Sequence, residues 1–207
     1  MAVPSRPPNR GSRLPRERRR EQLLDVTAEL VLRGGVEAVT MEGVAAAAGV
    51  SKGLGYAYFA NRAELLQALL DRERAGLQAR VAAALETATT FEDRIRATTA
   101  GWFDTVEEHG ALLGALLQAI RVDGLQATRD AYYRQIEDFY GGLAAEEFGI
   151  PQEEAVTAAA IFISGLNGVV DRWTVAGRPR AEVEETYITA VMGAVRALAE
   201  AHAPARR

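Results

Sequence analysis

The stretch "SKGLGYAYFANRAELL", Ser51 to Leu66, gathers side chains suited to contact with a polyanion. Lys52 and Arg62 place positive charge near its two ends, and Tyr56 and Tyr58 offer phenolic donors between them. Gly53 and Gly55 each cost about 1 kcal/mol relative to alanine inside a helix. A short helix here is therefore weak by composition. That weakness has a use: Gly53 removes the side chain that would hold the backbone away from a partner. Cations and hydroxyls against phosphate oxygens, with a bare backbone brought close to base edges, is the chemistry of nucleic-acid recognition. Taken singly, Tyr56 and Tyr58 would be ordinary core aromatics and Lys52 a solvated charge; Phe59 reads as core.

The flanking elements decide whether these groups can act together. Ser51 is a natural N-cap for a helix reaching about Tyr58, and Thr40 caps the short helix "MEGVAAAAG" before it. In that short helix Met41, Val44, Ala45 and Ala48 share a face, and Gly49 ends it. The joint "AGVS", with small Ala45, turn Gly49 and apolar Val50, has the spacing of a helix-turn-helix. Upstream, "RERRREQLLDVTAELVLRGG" carries a helical stripe of Leu23, Leu24, Thr27/Ala28 and Val31 up to the Gly34-Gly35 stop. Asn61, with Glu64 three residues on, opens a fourth helix to about Glu86. Five further helices are expected over 91–109, 111–120, 124–148, 152–176 and 180–202. Gly110, Gly149-Ile150-Pro151 and Gly177-Arg178-Pro179 mark the breaks. No proline lies between Arg16 and Ile150, which suits a succession of helices. The expected fold is all-α with about nine helices. It divides into a tail at 1–15 with little to bury, a three-helix helix-turn-helix domain at 16–62 and a C-terminal helical bundle at 63–207.

Charge follows the same division. Residues 1–62 hold ten Lys+Arg against six Asp+Glu, whereas the remainder holds fourteen against twenty-two, for an overall net of −4. A basic module joined to an acidic body is not the profile of a sequence-blind DNA-packaging protein, which would be basic throughout. Lys52 is the only lysine among the twenty-four cations. Arg16, Arg18, Arg19 and Arg20 form a basic arm placed to reach neighbouring phosphates, or else the solvated start of the first helix. The chain has no cysteine and two histidines, His109 and His202. No metal-ligand cluster or nucleophile–base arrangement is visible, so neither catalysis, a metal nor a cofactor is expected. The longest apolar stretch, Ala155 to Val170, contains Thr157, Ser164 and Asn167 and stops at Asp171-Arg172. It falls short of a membrane span, and a cytoplasmic protein with no membrane partner is expected.

These residues resemble a known family. "VTMEGVAAAAGVSKGLGYAYFANRAELLQALL" is similar to the DNA-binding domain of the TetR (tetracycline-repressor) family of bacterial transcriptional regulators. That family's usual pattern runs roughly T-x-x-x-I-A-x-x-A-G-V-S-x-G-x-x-Y-x-Y-F-x-x-K-x-x-L. The resemblance covers about residues 19–66. It implies that Thr40 and Ser51 bond phosphates and that Lys52 and Gly53 come closest to base edges. Leu54 would then touch a thymine methyl, and Tyr56, Tyr58 and Arg62 would clamp phosphates. Three positions depart from the pattern. Leu54 replaces a commoner threonine, Gly55 replaces a larger apolar residue, and Ala57 stands where a polar side chain is usual and receives no DNA contact.

For the acidic body the resemblance implies a bundle that dimerises through its last two helices and encloses a small-molecule pocket. Gly165 and Gly168 allow a facing helix to approach, and with Met192 they are the expected interface residues. An effector with apolar character would meet Trp102, Phe103, Phe162 and Trp173. His109, Gln118, Tyr132, Tyr133 or Asn167 would orient it. Ser164, Asn167 and Asp171 share a helix face and suit either an effector or the partner chain. The implied function is a homodimeric repressor that binds a near-palindromic operator and is released by a small molecule. An activator or an effector-independent regulator would share every residue named, and a helical enzyme is the remote alternative.

Overall fold

A computed structural model describes residues 14–122 and 126–203, with the side chains of 118–130 outside that description. The first thirteen positions of the expected tail and the side chain of Gln118 therefore lie outside the described residues. All regular structure among the described residues is helical: α1 (Arg16–Gly34), α2 (Met41–Ala47), α3 (Lys52–Tyr58), α4 (Arg62–Leu85), α5 (Phe91–Val122), α6 (Gln126–Phe148), α7 (Gln152–Thr174) and α8 (Arg180–His202), with a 3-10 turn at Val36–Ala38. Among the described residues there are eight helices rather than nine, because α5 runs unbroken through Gly110. A single glycine lowers helix propensity by only about 1 kcal/mol, less than packing a long helix returns. The glycines that do end elements have positive φ: Gly35 (72°), Gly49 (66°), Gly149 (68°) and Gly177 (67°).

The chain forms two compact units, Met1–Asp71 and Arg72–Arg207. In the first, Leu23, Leu24, Thr27 and Val31 of α1 are buried together with Val39, Val44, Ala45, Phe59 and Leu65. Thr27 is tolerated there because its hydroxyl donates to the Leu23 carbonyl at 2.7 Å.

In the second unit α6 packs along α7, and α8 lies against both α5 and α7. Gly141 is what lets α6 and α7 meet, since a Cβ there would stand 2.6 Å from the Val156 Cα. One core cluster joins Phe91, Ile95, Tyr140, Ile188, Val191 and Met192. A second is built on Phe103, Val170 and Val183. Beside it Arg180 reaches Asp104 and Glu107, each at 2.6 Å, tying the start of α8 to α5.

Candidate nucleic-acid interface and body cavity

The joint between α2 and α3 is built from backbone hydrogen bonds. Val50 N donates to the Ala45 carbonyl at 2.9 Å and Gly49 N to that of Ala46 at 3.1 Å. With Gly49 at positive φ, this is the left-handed closure that satisfies the last carbonyls of a helix. Gln22 of α1 donates from Nε2 to the Ala48 carbonyl at 3.1 Å, pinning the turn to the first helix. Each following helix starts on a side-chain cap: Thr40 Oγ1 accepts from Gly43 N at 3.0 Å, Ser51 Oγ from Leu54 N at 3.2 Å and Asn61 Oδ1 from Glu64 N at 2.9 Å. Glu64 reaches back one residue beyond the usual reciprocal position, accepting from Ala60 N at 2.6 Å.

This frame leaves one surface of α3 open. Ser51, Lys52, Gly53, Leu54 and Tyr56 are exposed, Tyr58 is half-buried and Phe59 is core. No heavy atom lies within 4 Å of where a Gly53 Cβ would sit, so nothing inside the protein requires that glycine. Gly55 differs: it is buried, and a Cβ there would meet the Ala45 Cβ at 3.6 Å. Thin packing beneath α3 is thus confined to Gly55, while the bareness of Gly53 faces outward.

Lys52 Nζ lies 2.6 Å from Glu42 Oε1 and 5.8 Å from the centre of the Tyr56 ring. The hydrogen bond to Lys52 lowers the Glu42 pKa, and the same bond raises that of Lys52. Lys52 is therefore held as a cation above the open surface, beside the ring of Tyr56.

Arg62 has a task that its position in the sequence did not announce. Its Nε donates to the Val39 carbonyl at 2.9 Å and its Nη2 to the Val36 carbonyl at 2.8 Å, while Glu37 stands 3.8 Å away. The guanidinium thus closes the 3-10 turn onto the start of α4. The signal was hidden because the acceptors are main-chain groups more than twenty residues upstream. Arg62→Ala should lower unfolding free energy by about 2 kcal/mol through these charge-assisted bonds. Urea denaturation without DNA checks this. Arg62→Lys should recover little of the loss, because an ammonium does not reproduce the guanidinium fork.

The second unit contains a cavity of about 580 Å³ lined by α4–α8, within the ordinary range for small-molecule sites. Of the side chains expected to meet an effector, Trp102, Tyr132, Tyr133, Phe162 and Asn167 line it. Phe103, His109 and Trp173 do not. Phe103 is fully buried and stacks on Trp173 with ring centres 5.4 Å apart, so both aromatics serve the core. His109 faces carboxylates instead, with Nδ1 3.3 Å from Glu73 and Nε2 3.6 Å from Glu108. The sequence reading missed Tyr140, Ile136, Phe139 and Tyr187, which also form the wall. Aromatic and aliphatic residues at helical spacing look alike whether they face a cavity or a core.

Met192 is not available to a partner chain. At 6% exposed it belongs to the core, because α8 turns that side inward against α5 and α7. Gly165 and Gly168 stand in open space with no atom within 4 Å of a built Cβ. They share an α7 stripe with Ile161, 64% exposed, and with the exposed Arg172, and Val175, 81% exposed, follows as the C-cap of the helix. By length and composition α7, at 23 residues, would also pass for a membrane span, where the sequence reading of Ala155 to Val170 alone fell short of one, and 11% of its most apolar window is buried within the chain.

The family description "Bacterial regulatory proteins, tetR family" matches residues 23–69, the segment that carries the capped turn and the open α3 surface. The chain is 41% identical over 98 residues to the HTH-type transcriptional activator FasR of Mycolicibacterium smegmatis, covering 47% of this chain and 45% of that protein. It is 40% identical over 83 residues to the HTH-type transcriptional repressor KstR of Mycobacterium tuberculosis, covering 40% and 37%. The chain thus matches less than half the length of either relative. A TetR-like transcriptional regulator from Rhodococcus sp. RHA1 has a similar fold, with a TM-score of 0.66 at 22% identity over 89% of this chain and 99% of that one. A helix-turn-helix with these caps, inside that family match, makes residues 23–69 a DNA-binding domain of the type found in bacterial regulatory proteins of the tetR family.

Proposed function

We propose that the protein is a homodimeric, ligand-responsive repressor acting in the cytoplasm on a near-palindromic operator. The observation that supports this most directly is the outward face of α3. Lys52 and Tyr56 flank a glycine whose missing side chain serves no internal packing. Lys52 and Gly53 read base edges, and Leu54 meets a thymine methyl. Thr40, Ser51, Tyr56, Tyr58 and Arg62 hold phosphates. In this reading Thr40 and Ser51 do so through their capped helix starts, and Arg62 from its seat on the turn carbonyls. Two such helices in successive major grooves call for half-sites about one helical turn apart. The α7 stripe around Gly165 and Gly168 meets its symmetry mate. A small molecule in the cavity favours a conformer whose paired recognition helices no longer match the half-sites. Only a difference in its affinity for the two conformers can drive that shift.

Selection of bound fragments from the source genome by the purified protein tests the core of this reading. A pseudo-palindrome is expected, and failure to enrich any sequence at low ionic strength would overturn it. Lys52→Ala should alter the preferred base at one position of each half-site and cost about 1–3 kcal/mol there. Retention of wild-type affinity and the same sequence preference would remove Lys52 from base readout. An activator is the second reading, favoured by the name of FasR, whereas KstR is named a repressor. Deleting the gene decides the sign: target transcription rises for a repressor and falls for an activator.

A further inference from the structure

Glu42 stands in the first turn of α2 and is exposed. Its Oε1 lies 2.6 Å from Nζ of Lys52, the first residue of α3 and the single lysine of the chain. Tyr56, one turn along α3, brings its ring centre to 5.8 Å from the same ammonium. The bond between Glu42 and Lys52 favours the charged form of each.

A carboxylate in this place works against binding to a polyanion. It is set against the phosphates that Thr40, two residues upstream, and the face of α3 are to meet. A negative charge in the first turn does suit the dipole of α2, but a role confined to that would not depend on Lys52.

The geometry gives the carboxylate a use. An ammonium has three N–H donors and no acceptor, so one given to Glu42 leaves two. In the major groove guanine presents two neighbouring acceptors, N7 and O6. Adenine sets a donor beside its N7, and thymine offers one acceptor beside a methyl group. A guanine edge carries no net charge for the carboxylate to repel, whereas a phosphate does.

We propose that Glu42 is a positioning residue for base readout. It takes one N–H of Lys52, leaves two for the N7 and O6 of a guanine, and turns the ammonium away from phosphate. This rests on the reading above that Lys52 meets base edges, and it adds which base is read and what confines the lysine to it.

The test is anisotropy of the full chain on its selected operator and on a scrambled duplex of equal length, across a KCl series. Glu42→Gln keeps the side chain's size and releases the Lys52 charge. It should bind the scrambled duplex about tenfold more tightly at low salt, and the slope of log K against log[salt] should steepen by about 0.9 for each protomer. The ratio of operator to scrambled affinity should fall at least about fivefold, a change that tighter binding to the wrong DNA produces and misfolding does not. In a Lys52→Ala background the same substitution should change scrambled-duplex affinity by about twofold at most. The base preference lost in Lys52→Ala should be for guanine, and 7-deazaguanine at that position, which lacks N7, should cost the wild type about tenfold. Equal gains with and without Lys52 would reduce Glu42 to simple repulsion and overturn the proposal. So would loss of a preference for any other base. A wild type without sequence preference overturns the Lys52 reading and this inference with it. A wild type that discriminates, beside a Glu42→Gln variant that discriminates equally well, overturns this inference and leaves the Lys52 reading standing.

Discussion

Gly53→Ala should make the protein more stable and a poorer DNA binder at once. No atom lies within 4 Å of the added methyl, so the substitution brings only the helix-propensity gain of about 1 kcal/mol. Gly55→Ala brings the same gain, with its methyl at an ordinary 3.6 Å contact with Ala45. The two variants are thus matched in stability and differ in direction. In the proposed complex the Gly53 methyl would stand between the α3 backbone and the duplex, where losing one close base contact costs about 1–3 kcal/mol, or roughly tenfold to a hundredfold in affinity. The Gly55 methyl points into the protein and should leave affinity within about twofold, inside the usual scatter for a surface-neutral change. Urea denaturation at fixed protomer concentration and anisotropy with the selected operator give the two readouts. Full operator affinity in the Gly53 variant would mean that the bare backbone does not approach DNA.

The contrast between these two glycines also marks how far the sequence could be read. Caps and turns are local: Thr40, Ser51 and Asn61 each bond an amide three residues on, so their types and spacing are enough to find them. The stripe Leu23, Leu24, Thr27 and Val31 is likewise one helix face, and all four residues are buried. Long-range partnerships are different. Arg62 binds carbonyls that any residue would provide, and nothing in "FANRAELL" points to Val36 and Val39.

Gly110 was misread because glycine is a weak stop without a following proline or a positive φ, and α5 gains enough by packing to pass through it. The cavity was the least legible part. Trp102 lines it while its neighbour Phe103 is sealed in the core. The two differ by one position, about 100° of helix rotation. Deciding which side faces a cavity requires knowing where four other helices lie. Met192 shows the same limit on α8, whose pattern is apolar over most of its surface, so the inward side could not be told from the outward one.

Gly168→Arg should abolish dimerisation without unfolding the chain. Arginine is the better helix former by about 1 kcal/mol, and a side chain at this position starts in open space, so the monomer should fold at least as well. The α7 stripe is nevertheless where an isologous interface would place each residue against its own mate or a near neighbour. One substitution therefore adds two long cations to a stripe that holds Gly165 and Ile161 and, one turn on, the exposed Asp171 and Arg172. Bringing two arginines together there, beside the Arg172 pair and with Asp171 as the nearest carboxylate on the same face, is among the costlier changes an interface can suffer. Sedimentation should show a monomer, with helical content by circular dichroism unchanged. Affinity for a full operator should fall by roughly a hundredfold or more, because the second half-site is no longer bound intramolecularly. Affinity for an isolated half-site should not move. A variant that stays dimeric would place the interface elsewhere on the bundle. A monomer that still bound the full operator at wild-type affinity would show that each α3 acts alone, and the near-palindrome would lose its physical basis.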